Sequence, residues 1–472
     1  MTKSVEMADH QYFVVASQSQ AGGRAASSGS RMRCRAAIAL GLGLWLLAAT
    51  SLTVCASTVD DVVAAEMKAH HITGVSLAII DSREIGTAKG YGFTDKSGTT
   101  PVTPSTLFQA GSVSKPVAAL GALRLVEDGR LSLDEDVNRF LKDWKLPENE
   151  FTKDEKVTLR RILSHSAGLT VHGFPGYAVG APLPTLVQIL DGAKPANTAA
   201  IRVDVIPGST SRYSGGGYTL MQQMMIDASG KPFPEFMQEA VLAPLRMVAS
   251  SYEQPLPKDR ATATATGYYA NGKQVKGKWH IYPEMAAAGL WTTASDLARF
   301  AIGIQRALAG KSNAVISQSM TRQMLAVQKG NSGLGLGLDG SGSTLRFSHG
   351  GRDEGFDTFL MAYAESGQGV VIMINANDDS GAVNRMVGAV SREYHWPDPP
   401  AAAVREVPVP LGAPEPVRRQ VGQIVSGRLG GAHLLPEGVR ASTRSGQLAA
   451  ALVPARGRSW LAMKNPKPRR GQ

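Results

Sequence analysis

Cysteine is almost missing from this sequence. The 472 residues contain two, Cys34 and Cys55, and both fall in a stretch (1–56) that reads as an export segment. A mature chain starting at Ser57 would carry none, which excludes disulfides, thiolate catalysis and cysteine-ligated metals. A chain of this length has ample residues for a buried core and needs no covalent staple. A broad excess of charge is missing too. The net charge of +11 divides into +9 over 401–472, +3 over 1–56 and −1 over 57–400. The body is close to neutral, so no nucleic-acid partner is expected. The nine histidines are scattered and only His70-His71 adjoin; neighbours on a helix point apart, so neither a metal nor a cofactor is expected. The G-x-S-x-G signature of one large class of serine hydrolases is absent, and no internal repeat is visible. With 43% apolar and 19% charged residues, the composition is that of a globular protein.

Arg31, Arg33 and Arg35 flank an uncharged apolar run from Ala36 to Val54, and Val54-Cys55-Ala56 offers small residues around a cleavage point after Ala56. The 30 residues before this run are polar and unlike a normal leader, so Met32 is expected to be the true start. A cleaved signal peptide, and hence a periplasmic or secreted protein, is the expectation. An uncleaved anchor is the first alternative, since the run is long enough to span a bilayer. A lipoprotein at Cys55 is the second, disfavoured by the bulk of Val54. The membrane would be met only through this segment. The expected organisation is an export region over 1–56, a catalytic domain over 57–398, and a basic extension rich in Pro, Gly and Arg over 399–472. That extension reads equally as an accessory unit, a disordered tail or the product of a frame shift.

Periodicity predicts a first helix over Asp60–His71 and strands over Gly74–Ile80 and Gly86–Phe93 around a turn at Asp81-Ser82-Arg83. A helix carrying Val117, Leu120, Leu123 and Val126 stops at Gly129. Helical stretches broken by Pro- and Gly-rich loops follow, clearest over Phe233–Leu242 and Thr293–Leu308. Strands return at Thr344–Ser348, Phe356–Tyr363 and Gly369–Asn375, before a helix over Gly381–Tyr394. The expected class is therefore α+β. A mainly antiparallel sheet is built from both ends of the domain, flanked by helices and interrupted by a helical subdomain.

The chemistry centres on Ser112-Val113-Ser114-Lys115, where a polar loop gives way to an apolar helix. Residues i and i+3 of a helix share a face about 5–6 Å apart, so the lysine amine could take the proton of the serine hydroxyl. It can do so only if burial or a neighbouring cation lowers its pKa towards neutrality. The pattern alone is weak: 38 serines and 19 lysines predict about one or two such matches by chance, and the chain has one. Tyr213 lies 101 residues on, in a glycine-rich loop. Its oxygen could relay a proton if cations lower its pKa from about 10, or the ring could be structural. His349-Gly350-Gly351 stands at the end of a predicted strand. The histidine could supply a proton or a positive edge and the glycines could let a substrate lie against the backbone, or the three could form a β-bulge.

Taken together these motifs resemble the β-lactamase and penicillin-binding-protein superfamily, in its class C-like branch of serine hydrolases. The resemblance runs from Asp60 to Pro397. It takes in Phe108 to Lys115, Leu125 to Asp134, Ile162 to Leu169, Tyr213 to Tyr218, Ala288 to Thr293 and Phe347 to Gly351. The second and third of these runs read as a helix end and a helix-to-loop turn. The resemblance implies Ser112 as a nucleophile that forms an acyl-enzyme, with Lys115 and Tyr213 sharing the proton transfers. It implies His349, Gly350, Gly351 and Arg352 at the substrate, with the N–H groups of Ser112 and Arg352 as oxyanion donors. Which of Lys115 and Tyr213 takes the first proton stays open.

Two departures narrow the substrate. Gly215 stands where the resembled pattern has an asparagine that binds the acylamide of β-lactams and peptides. His349 replaces a lysine whose permanent charge would hold a substrate carboxylate. The expected function is an exported serine hydrolase acting on a small-molecule or peptide acyl substrate, of esterase or D-amino-acid peptidase type. The alternatives are a β-lactamase and a non-catalytic penicillin-binding sensor or cell-wall binding module.

Overall fold

The computed structural model describes residues 58–397 and, further on, the backbone of two strands, Val439–Arg444 and Gln447–Leu452, that pair with each other. The export segment expected over 1–56 and the rest of the extension expected from 399 lie outside the described residues. Six strands form the central sheet: β1 (Gly74–Asp81), β2 (Glu84–Gly92), β3 (Gly337–Asp339), β4 (Arg346–Asp353), β5 (Phe356–Tyr363) and β6 (Gly369–Ile374). Their spatial order is β2-β1-β6-β5-β4-β3, and every neighbouring pair is antiparallel. The two ends of the domain meet at β1–β6, where Val75 faces Ile374 and Ile80 faces Gly369. The helical subdomain occupies the chain between β2 and β3. The α+β architecture read from the sequence is thus the one observed.

The central strands are buried on both faces, which is why they read as mostly apolar runs and not as an alternation. Val75, Leu77 and Ile79 of β1 and Val370, Ile372 and Ile374 of β6 point to an outer face. Helix α1 (Val59–His70) and the last of the domain's long helices (Ala382–Glu393) pack there. Ala78, Ile80, Val371 and Met373 point inward, to a core shared with α2 (Ser114–Glu127), α3 (Gly215–Ser229) and α4 (Ala294–Leu308). The helix Ala382–Glu393 is α5. Among the described residues no helix is long and apolar enough to cross a membrane.

Most element boundaries fall within one or two residues of expectation, and two differ by more. The strand expected over Thr344–Ser348 runs instead from Arg346 to Asp353, so His349-Gly350-Gly351 lies inside it and not at its end. Glycine weakens a strand locally, but regular pairing of His349 with Leu360 and of Gly351 with Thr358 holds the backbone extended, without a bulge. The helix expected over Phe233–Leu242 is α-helical only to Met237; Gln238–Leu242 continues as a π-turn.

Candidate active site

Ser112 is the middle residue of a single 3₁₀ turn, Gly111–Val113, that leads into α2. The turn is tied at its far side: Ser114 Oγ donates to Gly111 O (2.6 Å) and accepts from Leu290 N–H (3.0 Å), while Tyr252 Oη donates to Ser114 O (2.6 Å). Eleven of the 14 residues of α2 are buried, so the helix runs through the core and not along its edge. Lys115 goes in with it and is only 2% exposed. Its Nζ donates to Ser112 Oγ at 2.9 Å and to Ala287 O at 2.8 Å. Burial pushes the Lys115 ammonium down to about 7, against a smaller upward pull from Asp353. The amine is therefore available without its proton near neutral pH.

Tyr213 precedes Ser214, the N-cap of α3, whose Oγ accepts from Gly217 N–H (3.0 Å). The glycines opening α3 let it seat against residues 170–172. Gly215 and Gly216 donate to His172 O and Val171 O, both at 2.9 Å, and a Cβ on Gly215 would come within 2.9 Å of His172 O. This packing brings the Tyr213 phenol to Ser112, the one neighbour that lowers its pKa, and puts the Lys115 amine 5.0 Å from the ring centre. Its pKa moves opposite to the condition stated above. Burial raises it well above the usual phenol value, with the Ser112 bond the only opposing influence. A lysine that is itself shedding its charge cannot hold a phenolate.

His349 enters from β4. A carbonyl can only accept, so the 2.6 Å contact of its Nδ1 with Gly350 O fixes the proton on Nδ1. Burial first, and Lys115 second, push His349 down to about 4, so near neutral pH it presents the bare lone pair of Nε2. The proton or positive edge considered for it is replaced by an acceptor. Gly351 is required by close approach: a Cβ there would stand 2.0 Å from Ala110 O and 3.0 Å from Ser112 N. A Cβ on Gly111 would meet Arg352 N at 2.5 Å. The amides of Ser112 and Arg352 are thus neighbours across the seam between β4 and the serine turn. The Arg352 side chain leaves the site, bonding Asp357 through Nε (2.8 Å) and Nη2 (2.6 Å), Asp379 (2.8 Å) and Asp378 O (2.8 Å).

One cavity of about 320 Å³ gathers Ser112, Lys115, Tyr213, His349, Gly350, Gly351 and Arg352. Three lining residues escaped the sequence reading. His165 lies in the run Ile162–Leu169, read above as a turn. His172 packs against Tyr213, at 4.8 Å between ring centres. Asp353 is fully buried, and desolvation raises its carboxyl well above the usual range against the pull of Lys115. No signal short of the fold marks these three. Among the described residues no group of three or more His, Cys, Asp or Glu could hold a metal ion.

Comparison with known proteins agrees with this fold. Protein flp of Staphylococcus aureus (strain N315) is 22% identical over 328 residues, covering 68% of this chain. The chain spans about 63% of that relative's length. The octameric penicillin-binding protein homologue of Pyrococcus abyssi superimposes with a TM-score of 0.58 at 23% identity, over 71% of this chain and 77% of that one. The D-amino acid amidase of Ochrobactrum anthropi SV3 does so at 0.56 and 23%, over 71% and 99%. At these identities the structures speak for the fold. The family model described as Beta-lactamase matches residues 59–391, the whole of the sheet, the helical insertion and the serine–lysine cavity, and the chain belongs to that family.

Proposed function

We propose that the protein is an exported serine hydrolase that cleaves ester or amide acyl substrates through an acyl-enzyme on Ser112. The observation that carries this reading is the 2.9 Å bond from a buried, charge-poor Lys115 amine to Ser112 Oγ. In its neutral form Lys115 removes the hydroxyl proton as Ser112 attacks the acyl carbon. The oxygen that becomes negative is held by the N–H groups of Ser112 and Arg352. Tyr213, kept protonated by burial, hands its proton to the leaving group and is recharged from Lys115; water then reverses the sequence to release the acid. Lys115 is therefore the first base and Tyr213 the acid.

The substrate is one without a carboxylate next to the scissile bond. Arg352 is turned to its three aspartates and His349 is neutral, so neither offers the charge a carboxylate would need. The Nε2 lone pair of His349 suits a substrate N–H or O–H instead. A side chain at position 215 would run into His172 O and the Phe174 ring, 2.9 and 3.1 Å from its Cβ. This speaks against an acylamide contact there, and for an esterase or amidase over a β-lactamase. Export rests on the basic flank and apolar run of residues 31–56.

Hydrolysis of p-nitrophenyl butyrate and of a chromogenic cephalosporin tests the reading. We expect ester turnover to exceed cephalosporin turnover and to fall at least about 10³-fold in Ser112→Ala. Cephalosporin turnover above ester turnover would make it a β-lactamase. Stable acylation by intact mass without turnover would make it a sensor, and no acylation by either compound would sink the hydrolase reading.

A further inference from the structure

The short helix Leu159–Leu163 ends at Ser164 in a Schellman turn, with Ser166 N–H on Arg161 O (2.7 Å) and His165 N–H on Ile162 O (3.1 Å). His165 holds the left-handed position of that turn, at φ 54°. Glycine is the usual occupant, because a Cβ there is crowded by the backbone. A histidine kept in such a conformation points to work done by its side chain. The surroundings identify that work. His165 O accepts from Arg212 N–H at 2.7 Å, and His165 Nδ1 accepts from Ser214 N–H at 3.2 Å. Between these two anchors lies Tyr213, whose ring rests on the His165 ring at 4.2 Å and 31°. Tyr218 also packs on the imidazole, at 5.3 Å between ring centres, itself donating to Leu163 O.

We propose that His165 is a positioning residue for Tyr213, gripping the backbone on both sides of the tyrosine and the face of its ring so that the phenol stays on Ser112. An amide can only donate, so the contact requires an unprotonated Nδ1. Burial, with Lys115, His349 and His172 adding to it, keeps the imidazole neutral and so agrees with that requirement. The inference rests on the acid role given to Tyr213 above.

A double-mutant cycle on ester hydrolysis separates the two. His165→Phe keeps a flat ring but loses the acceptor; His165→Gly relaxes the backbone and loses the ring and the acceptor. Both are expected to lower kcat by about 10- to 100-fold, since small misplacement of a reacting group costs rates of this size, with KM and melting temperature unchanged. His165→Asn accepts a left-handed φ and offers a carbonyl to Ser214 N–H, and is expected to recover much of the loss. In a Tyr213→Phe background, His165→Phe should cost nothing further. Full activity in Tyr213→Phe would overturn the role of Tyr213 and this inference with it. An active wild type, a crippled Tyr213→Phe and an additive cycle would overturn the inference alone. So would full kcat in His165→Gly, a loss confined to KM, or a loss that follows a drop in melting temperature.

Discussion

The two faces of the sheet are used in opposite ways. On the outer face, α1 and α5 cover the strands with Val59, Val63, Val383, Met386, Val387 and Val390, against Leu77, Ile79, Val370 and Ile372. The charges of these helices stay at the rim, where Arg385 grips Glu66 through two 2.7 Å bonds, both side chains partly open to water. On the inner face, α2 carries a lysine into the core, near His165, His349 and the buried Asp353, which in turn faces the buried Glu284. Glu284 is fully buried, and desolvation raises its carboxyl to about 8. The same sheet thus has one face arranged for stability and one that gives stability up to hold titrating groups out of water. Substitutions on the two faces should separate stability from activity.

Lys115→Met should separate them most. The unfolded lysine keeps its proton up to about 10.5, the folded one only to about 7. Between these values the unfolded chain binds more protons, so stability rises with pH; below about 7 the whole cost of burial is present. Its ceiling is about 5 kcal/mol, offset by the amine's bonds to Ser112 Oγ and Ala287 O. The variant is expected to lose about 10²–10⁴-fold in kcat/KM and to gain about 1–3 kcal/mol at pH 7. The gain should shrink towards pH 10. Denaturant melts at pH 6, 7 and 9.5 check it, and a variant less stable than wild type at pH 6 would show that the inner face carries no such cost.

Met386→Ala is the converse. Met386 is fully buried between α5 and the outer strands, in an apolar cluster on the side of the sheet away from Ser112 and Lys115. Truncation leaves a cavity worth about 2–5 kcal/mol. The melting temperature should fall while kcat/KM at 20 °C and its pH dependence stay as they were. A pH profile altered by this change would mean that the two faces are coupled through the sheet.

These differences also decide what was legible in the sequence. β5 was readable to the residue, Phe356 to Tyr363, because burial on both faces leaves a mostly apolar run, interrupted only at Asp357 and Thr358. Ser112 and Lys115 were readable as a pair because helix geometry puts i and i+3 on one face and because the motifs at Tyr213 and His349-Gly350-Gly351 lifted the match above chance. β4 was misread at both ends, since glycines at 350 and 351 look like a strand's end until β5 is seen to pair with them. The rise in the Tyr213 pKa was out of reach for another reason. Its sign depends on whether the nearby lysine stays charged, and that is set by burial from α2, α3 and β4 together. His165 was hidden because a helix followed by a polar turn describes it fully in one dimension; its contacts with Arg212 and Ser214 are made 47 and 49 residues away.

The smallest expected effect bears on the coupling inside the inner face. Asp353 pulls the Lys115 pKa up, against the larger downward push of burial. Asp353→Asn removes that pull, so Lys115 should lose its proton at lower pH. If neutral Lys115 is the base, kcat/KM rises with pH through about 7 in the wild type, and the rise should move to lower pH in the variant. Activity at pH 6 would then increase by no more than about 10-fold, with little change above pH 8. Glu66→Gln removes a carboxylate from the outer rim, where partial exposure limits the pair to about 0.5–1 kcal/mol, and should leave the profile untouched. A profile that moves to higher pH in Asp353→Asn would contradict the upward pull of Asp353 on the catalytic base. Equal shifts in both variants would mean that the profile reports overall charge, and the distinction between the two faces would fail on its electrostatic side.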